Sequence, residues 1–222
     1  MSEFSDKVVL VTGAGRGIGR ALAQAFAAQG ARLAANDITP INLDETVGAI
    51  RAAGGQARPY LADVANKMAV QTMIEHILDD WERIDVLVNN AGVEPHAPLL
   101  DMDEWDWQRT LDVNLTGAFL LTQSVGRVMR AASPEGAAPP QRASSPKGEK
   151  DGGIIIHIGW RAHSSDRRAA YFVSKAGLTA FVEHAARELA AFGICVHLVL
   201  PAETDDVAEK VISLVEAELH HS

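Results

Sequence analysis

The sequence predicts an α/β fold: one doubly wound parallel sheet of about six strands with helices on both faces. Short apolar runs recur along the 222 residues, and longer amphipathic stretches separate them. The runs lack polar alternation, which is typical of strands buried on both faces of a parallel sheet. They lie at 8–11, 32–35, 58–61, 86–88, 154–158 and 196–200.

The chain is predicted to form a single domain over residues 1–222, because one α/β domain of this length buries a substantial core. One segment, 131–153, interrupts the alternation. It is rich in Pro, Gly, Ser and Ala and has no apolar periodicity. We predict a surface insertion there, either a tolerated loop or a partner-binding segment.

Composition excludes several classes of protein. The net charge is −9, and no cluster of Lys and Arg offsets it, which argues against nucleic acid and anionic membranes as partners. Cys195 is the single cysteine, so we expect no internal disulfide and interpret Cys195 as a buried packing residue. Without a leader pattern or a long apolar run, the protein is expected in the cytoplasm.

No metal site is predicted. His220 and His221 are adjacent at the end of the chain. Two histidines without a third ligand nearby are more typical of a frayed helix tail than of a metal site.

A glycine-rich turn follows the first apolar run and precedes a helical pattern. The stretch 12–19 spells TGAGRGIG and includes Gly13, Arg16, Gly17, Ile18 and Gly19. Glycines there allow a tight turn, close approach of a pyrophosphate and packing of helix on strand, while the helix N-terminus offers free N–H groups. This strand, turn and helix predict a phosphate-binding site, although a glycine triplet alone is weak evidence.

An acidic residue, Asp37, follows the second apolar run. A carboxylate at this distance accepts hydrogen bonds from both ribose hydroxyls of an adenosine and repels a 2′-phosphate. The sequence therefore predicts NAD(H) rather than NADP(H) as cofactor. The alternative interpretation is a solvated loop aspartate.

Three further motifs carry a resemblance to a known family. Asn89-Asn90-Ala91-Gly92 follows the fourth run, Asn114 lies in the stretch DVNLTG, and Tyr171 precedes Lys175 by one helical turn after the fifth run. Together with the glycine turn, these motifs resemble the short-chain dehydrogenase/reductase family over residues 7–201. The resemblance implies a Rossmann-type dinucleotide-binding domain.

The resemblance also implies roles for these residues. Tyr171 would be the catalytic acid/base, and Lys175, together with the oxidised nicotinamide, would lower the tyrosine pKa. The same lysine would hold the nicotinamide ribose. Asn114 would anchor a water in proton relay. The alternative for Tyr171 and Lys175 is an incidental surface pair one helical turn apart.

Four residues at strand ends are further candidates for cofactor binding. Asp63 and Val64 resemble the pair that contacts adenine, and Asn90 and Gly92 would line the cofactor side of the fourth strand. A structural role is a serious alternative for these residues, because small residues also end a strand and allow close packing.

The sequence departs from the family at two places. Trp160 stands where the family has a catalytic Ser, and an indole donates only one hydrogen bond; His163, Ser164 or Ser165 could supply the missing group. At the C-terminus Thr204 could keep a nicotinamide contact. Segment 205–219 is predicted to be one helix, and the lid and last strand of the family are not found.

Two functional hypotheses follow. The first is an NAD(H)-dependent oxidoreductase that interconverts a secondary alcohol and a ketone of a small-molecule substrate, by fold-level analogy of the 3-hydroxyacyl/3-oxoacyl type. The second is a catalytically impaired NAD-binding protein that acts as a sensor or assembly subunit. Apolar faces of the helix carrying Asn114 and of the predicted helix 171–192 indicate a homodimer, with a tetramer as the less favoured state.

Overall fold

A computed structural model describes residues 3–132, 152–160, 167–201 and 207–220. It contains six strands: β1 (Val8–Thr12), β2 (Arg32–Asp37), β3 (Gln56–Leu61), β4 (Val86–Asn89), β5 (Ile154–Ile158) and β6 (Cys195–Val199). They form one parallel sheet in the order β3-β2-β1-β4-β5-β6. The doubly wound fold predicted from the sequence is confirmed.

Seven α-helices occur in the described ranges, together with two short 3₁₀ turns and one π-helical turn. The 3₁₀ turns are Leu99–Asp101 and Ala190–Phe192, and the π-helical turn is Asp112–Thr116. The helices are α1 (Gly17–Ala28), α2 (Pro40–Ala52), α3 (Lys67–Trp81), α4 (Glu104–Leu111), α5 (Gly117–Ala132), α6 (Ala169–Leu189) and α7 (Val207–His220).

The sheet separates two hydrophobic cores. Successive side chains of a strand point to opposite faces, so Val9 and Val11 of β1 pack with α1, α2 and α7, whereas Val8 and Leu10 pack with α3, α5 and α6. All five residues of β1 are buried. This double burial explains why the central strands are continuous apolar runs.

The edge strand β3 differs from the prediction of burial on both faces. Its Ala57 and Tyr60 are buried, whereas Arg58, Pro59 and Leu61 are exposed. Proline has no N–H to donate and is confined to edge strands or bulges. Each face of this strand contributes one buried side chain, Ala57 to one core and Tyr60 to the other, and the remaining residues are exposed at the edge of the sheet, so the apolar run overstated the burial.

Three smaller expectations also change. The predicted helix 171–192 is α6 followed by the 3₁₀ turn, and the predicted helix 205–219 is α7, with 205 and 206 outside the described ranges. Cys195 is only partly buried, because β6 lies at an edge of the sheet.

Most of the predicted insertion 131–153 is outside the described residues. Within the described parts of the chain, no helix is long and apolar enough to cross a membrane.

Candidate functional site

The glycine turn is closely packed against the end of β4. Gly13 has a φ of +63° and Gly17 a φ of +54°, conformations that favour glycine. A Cβ on Gly13 would lie 2.9 Å from the Ala91 Cα, and a Cβ on Gly19 would collide with the Gly13 carbonyl oxygen. The turn thus requires glycine at these positions.

The first turn of α1 is open to an anion. Arg16 precedes the helix in an extended conformation, no described side chain caps the N-terminus, and the first turn carries no acidic residue. Arg16, Gly17 and Ile18 are exposed. Uncapped N–H groups and the positive end of the helix dipole suit a pyrophosphate.

Asp37 is held against the glycine turn by two backbone donors. Its Oδ2 accepts a hydrogen bond from the Gly15 N–H at 2.8 Å, and its Oδ1 accepts one from the Thr39 N–H at 2.9 Å. The carboxylate is therefore oriented and is not a freely solvated loop group. Each oxygen keeps a lone pair for a further donor such as a hydroxyl.

Asp63 has a partner that the sequence analysis missed. Its Oδ2 pairs with Arg109 Nη1 at 2.9 Å, and its Oδ1 accepts from the Ala65 N–H at 3.0 Å. The neighbouring Val64 is buried against Gly117. The Asp63 carboxylate thus joins α4 to the segment after β3. An adenine that contacts Asp63 would share its carboxylate with Arg109.

Asn90 and Gly92 have structural contacts. The Asn90 side-chain amide donates to the carbonyl oxygens of Thr12 and Gly13, at 3.0 and 3.3 Å. A Cβ on Gly92 would lie 3.3 Å from Asn114 Oδ1. These contacts favour the structural interpretation, in which both residues join the end of β4 to its neighbours.

Tyr171 and Lys175 meet on α6. The Lys175 Nζ lies 5.7 Å from the centroid of the Tyr171 ring and donates to the Ile158 carbonyl oxygen at 2.8 Å. Lys175 is 9% exposed, and Tyr171 is partly buried. The ammonium group is therefore anchored to the carboxyl end of β5 and lies close to the phenol.

The protein's own groups do not lower the Tyr171 pKa. Burial, followed by the charge of Glu94, raises the pKa of Tyr171 to about 12, and Arg168 opposes the rise. Burial lowers the pKa of Lys175 to about 8, against the opposing charge of Glu94. Lys175 is not among the groups that shift the Tyr171 pKa, and the lowering expected from Lys175 together with oxidised nicotinamide stays a prediction.

Glu94 is a second residue that sequence analysis missed. It forms an ion pair with Arg168, the residue before α6, at 2.5 Å. Its charge acts on both Tyr171 and Lys175. No local pattern marks Glu94, since only the fold brings the segment after β4 to the start of α6.

Asn114 lies in the π-helical turn and points into the protein. Its Oδ1 accepts from the Val93 N–H at 2.8 Å, and its Nδ2 donates to the Val93 carbonyl oxygen and to Ser174 Oγ, both at 3.0 Å. It also lines a small cavity of about 10 Å³ shared with Lys175 and Asn89. A cavity of this size has room for one water.

Trp160 lies opposite Tyr171. The two ring centroids are 5.5 Å apart at an interplanar angle of 77°, and the indole is 4.9 Å from the Phe172 ring. The indole thus contacts the face of α6 that carries the phenol. His163, Ser164, Ser165 and Thr204 lie outside the described residues.

A buried polar group lies beside this site. His157 Nε2 is 3.3 Å from Thr122 Oγ1, which donates to the Ala118 carbonyl oxygen at 2.7 Å. The threonine hydroxyl therefore accepts from the ring, so the neutral imidazole carries its proton on Nε2. Burial, aided by the charge of Lys175, lowers the pKa of His157 to about 3.

The six-stranded parallel sheet and the glycine turn between β1 and α1 define a doubly wound α/β protein of the dinucleotide-binding class. Comparisons with known proteins agree with this class. The family model for short chain dehydrogenase matches residues 7–214. The chain therefore belongs to the short-chain dehydrogenase family of oxidoreductases, which bind nicotinamide cofactors.

Individual relatives support the same membership. A 3-oxoacyl-acyl-carrier-protein reductase from Synechocystis is 38% identical over 204 residues, 90% of this chain and 75% of the relative. A metagenomic short-chain oxidoreductase in complex with NADP is 33% identical, with a TM-score of 0.83 over 96% of this chain and 91% of that one. An NAD⁺-bound xylitol dehydrogenase is 31% identical, with a TM-score of 0.78 over 96% and 76%.

Proposed function

We propose that the protein is an NAD(H)-dependent oxidoreductase that interconverts a secondary alcohol and a ketone. The observation that carries this proposal is the juxtaposition of Tyr171 and Lys175 at the carboxyl end of β5. In doubly wound proteins, ligands bind outside the carboxyl ends of the strands. The glycine turn and Asp37 lie at the same edge, at the ends of β1 and β2.

Tyr171 would transfer the proton in this reaction. In alcohol oxidation the phenolate accepts the hydroxyl proton while the carbon-bound hydrogen leaves with its electron pair; in reduction both transfers reverse. The nicotinamide cofactor accepts or supplies that hydride. Lys175 would stabilise the phenolate and hold the cofactor ribose, and Asn114 would anchor a water in the adjoining cavity for proton relay.

The preference for NAD(H) rests on Asp37. Its carboxylate is oriented by the N–H groups of Gly15 and Thr39, and a fixed negative charge there would repel a 2′-phosphate. One solved relative holds NADP and another holds NAD⁺. Both cofactors are therefore compared directly in the tests below.

We select 3-oxoacyl and 3-hydroxyacyl thioesters as the first substrates to test. The 38% identical relative from Synechocystis is named as a 3-oxoacyl-acyl-carrier-protein reductase. Simple ketones and sugar alcohols form the second group, because another relative is named as a xylitol dehydrogenase.

A catalytically impaired nucleotide-binding protein is the second candidate. The indole of Trp160 against the Tyr171 ring favours it, because it stands where the family holds the substrate oxygen with a serine hydroxyl. Losing one positioned donor costs about 10²- to 10³-fold in turnover. A sensor or assembly subunit would tolerate that loss.

Steady-state turnover of the wild type, Tyr171→Phe and Trp160→Ser tests the two candidates. For the enzyme we expect slow turnover that Tyr171→Phe abolishes while the NAD dissociation constant changes little. Trp160→Ser is expected to raise turnover at least tenfold, because it restores a hydroxyl. Tight NAD binding without Tyr171-dependent turnover on any substrate would instead favour the impaired protein.

The protein is further proposed to be a homodimer through α5 and α6, with a tetramer as the less favoured state. A groove of about 280 Å³ runs between these helices and is lined by Phe119, Phe181 and Phe192 together with polar and charged side chains, among them Arg127, Arg130 and Glu188. Phe119 is 40% exposed, although its ring packs edge-on against Phe181. Apolar surface on two adjacent helices suits a self-complementary contact.

A further inference from the structure

Three side chains with metal-binding atoms converge at the opposite end of β6 from the proposed catalytic site. Cys195 and His197 are two residues apart on β6 and therefore point to the same face of the sheet. Glu218 lies in the last turn of α7, the helix that packs on that face. One ligand atom from each residue lies within 4.8 Å of the other two.

The contact between His197 and Glu218 is unusual for a simple ion pair. His197 Nε2 lies 3.0 Å from Glu218 Oε1, but this buried nitrogen has no hydrogen-bond partner among the described residues. A buried polar nitrogen without a hydrogen bond is rare in folded proteins and calls for an explanation. A cation bound by both the nitrogen and the carboxylate oxygen would satisfy the two atoms together.

The donor set indicates which cation would fit. A thiolate, an imidazole nitrogen and a carboxylate oxygen are the three ligand types of Zn²⁺, at about 2.0 to 2.3 Å from the metal. Magnesium and calcium prefer oxygen ligands, so the sulfur and nitrogen argue against them. All three residues are partly buried, which leaves room for water in a fourth position.

We propose that Cys195, His197 and Glu218 bind one Zn²⁺ ion that joins β6 to α7. The site was not predicted from the sequence, because Glu218 comes near the strand only when α7 packs on the sheet. The ion would be bound by the folded protein and not by a preformed motif, so it should stabilise α7 against the edge strand. Cys195 would bind as a thiolate and release its proton on metal binding.

Titration of the tag-free protein with Zn²⁺ and Co²⁺ tests the site. We expect one equivalent of Zn²⁺ to bind, and Co²⁺ to develop a thiolate-to-metal charge-transfer band. That band reports Cys195 alone, because the chain has one cysteine. Cys195→Ser should abolish the band, and His197→Gln and Glu218→Gln should each weaken Zn²⁺ binding at least tenfold.

A matched variant on the same helix is His220→Gln. His220 also faces a glutamate, Glu3, but the single thiol of the chain is at Cys195, so zinc affinity should not change. Thermal unfolding with and without Zn²⁺ gives a second readout, with a rise in midpoint for wild type and none for Cys195→Ser. Less than 0.1 equivalent of bound zinc, or zinc affinity that survives Cys195→Ser, would overturn the proposal. Neither result would affect the oxidoreductase proposal, which uses different residues.

Discussion

The residues around Tyr171 keep it protonated. Burial and the charge of Glu94 hold its pKa at about 12, while burial holds the pKa of Lys175 at about 8. A positive charge beside the phenol is what would lower the tyrosine pKa. Although the Lys175 ammonium is close to the phenol, burial and Glu94 keep the pKa of Tyr171 high, so we expect the acid/base to become active mainly when oxidised nicotinamide adds its own positive charge.

Removal of the Asp37 carboxylate is expected to reduce the preference for NAD(H) over NADP(H). Wild type should bind NAD(H) at least fivefold more tightly than NADP(H), since the carboxylate accepts ribose hydroxyls and repels a 2′-phosphate. In Asp37→Ala that ratio should approach one. Isothermal titration with both cofactors measures it, and equal affinities in wild type would contradict the proposed preference.

The matched control is Asp44→Ala. Asp44 is an exposed acid on α2, so the variant removes the same charge from the surface without touching the glycine turn. We expect its cofactor ratio to equal that of wild type. A ratio that moves as far as in Asp37→Ala would indicate a long-range charge effect.

His157 is expected to make stability fall in mild acid. Its folded-state pKa is about 3, below the ordinary value of 6.5, so below pH 6.5 the unfolded chain takes up a proton that the folded protein does not. Unfolding is thereby favoured as pH falls from 6.5 toward 3, by on the order of 2 kcal/mol at pH 5. Urea unfolding at pH 5 and pH 7 should show this loss in wild type and a smaller one in His157→Gln.

His76→Gln serves as the control for that pH dependence. His76 is exposed on α3, so its replacement should leave the difference between pH 5 and pH 7 as in wild type. If His157→Gln also leaves the difference unchanged, buried His157 is not its source.

Among the elements, the π-helical turn between α4 and α5 orders the site. It directs Asn114 inward, where one side chain bonds both backbone groups of Val93 and the hydroxyl of Ser174. The segment after β4 is thereby joined through this turn to α6. A π-helical turn inside a helix is frequent at functional sites, and here it presents an amide to three partners.

Asn114→Ala is expected to destabilise the protein by about 1–3 kcal/mol, because it leaves partly buried backbone groups of Val93 without partners. Turnover should fall as well, since the cavity beside Lys175 loses a wall. Urea unfolding and steady-state kinetics measure the two effects. Normal turnover in a destabilised Asn114→Ala protein would argue against a role for this residue in proton relay.

Asn66→Ala is a suitable control, because it also removes an asparagine side chain that bonds to the backbone. Asn66 caps α3 by accepting from the Ala69 N–H at 3.1 Å, and loss of such a cap costs about 1 kcal/mol. Stability should therefore fall in both variants, whereas turnover should fall only in Asn114→Ala.

At the level of the whole molecule, the groove between α5 and α6 is expected to be covered by a second copy. Phe119→Glu places a charge on this face and should convert the dimer to a monomer, because an unpaired charge is costly to bury in an interface. Light scattering after size-exclusion chromatography at micromolar concentration measures the mass.

Ile41→Glu is the control for that substitution. Ile41 is 71% exposed on α2, a helix that packs on the other face of the sheet, so the dimer should persist. A wild-type protein that is monomeric at micromolar concentration would refute the contact between α5 and α6.

The sequence by itself determined the sheet, the glycine turn and the family. These features are local. Apolar runs specify buried strands, and glycines at positions with a positive φ mark the turn. One helical turn between Tyr171 and Lys175 brings both to the same face of the helix. Four of the six predicted strands agree in burial as well as position. The edge strands β3 and β6 do not, because edge position is a property of the assembled sheet.

Tertiary structure decided the partners of these residues. Arg109 reaches Asp63, and Glu94 reaches Arg168 and changes the pKa of Tyr171, across segments far apart in the chain. The grouping of Cys195 and His197 with Glu218 likewise depends on how α7 packs. Charges and hydrogen bonds act over a few ångströms in space, so their effects emerge only after the chain has folded and excluded water from the site.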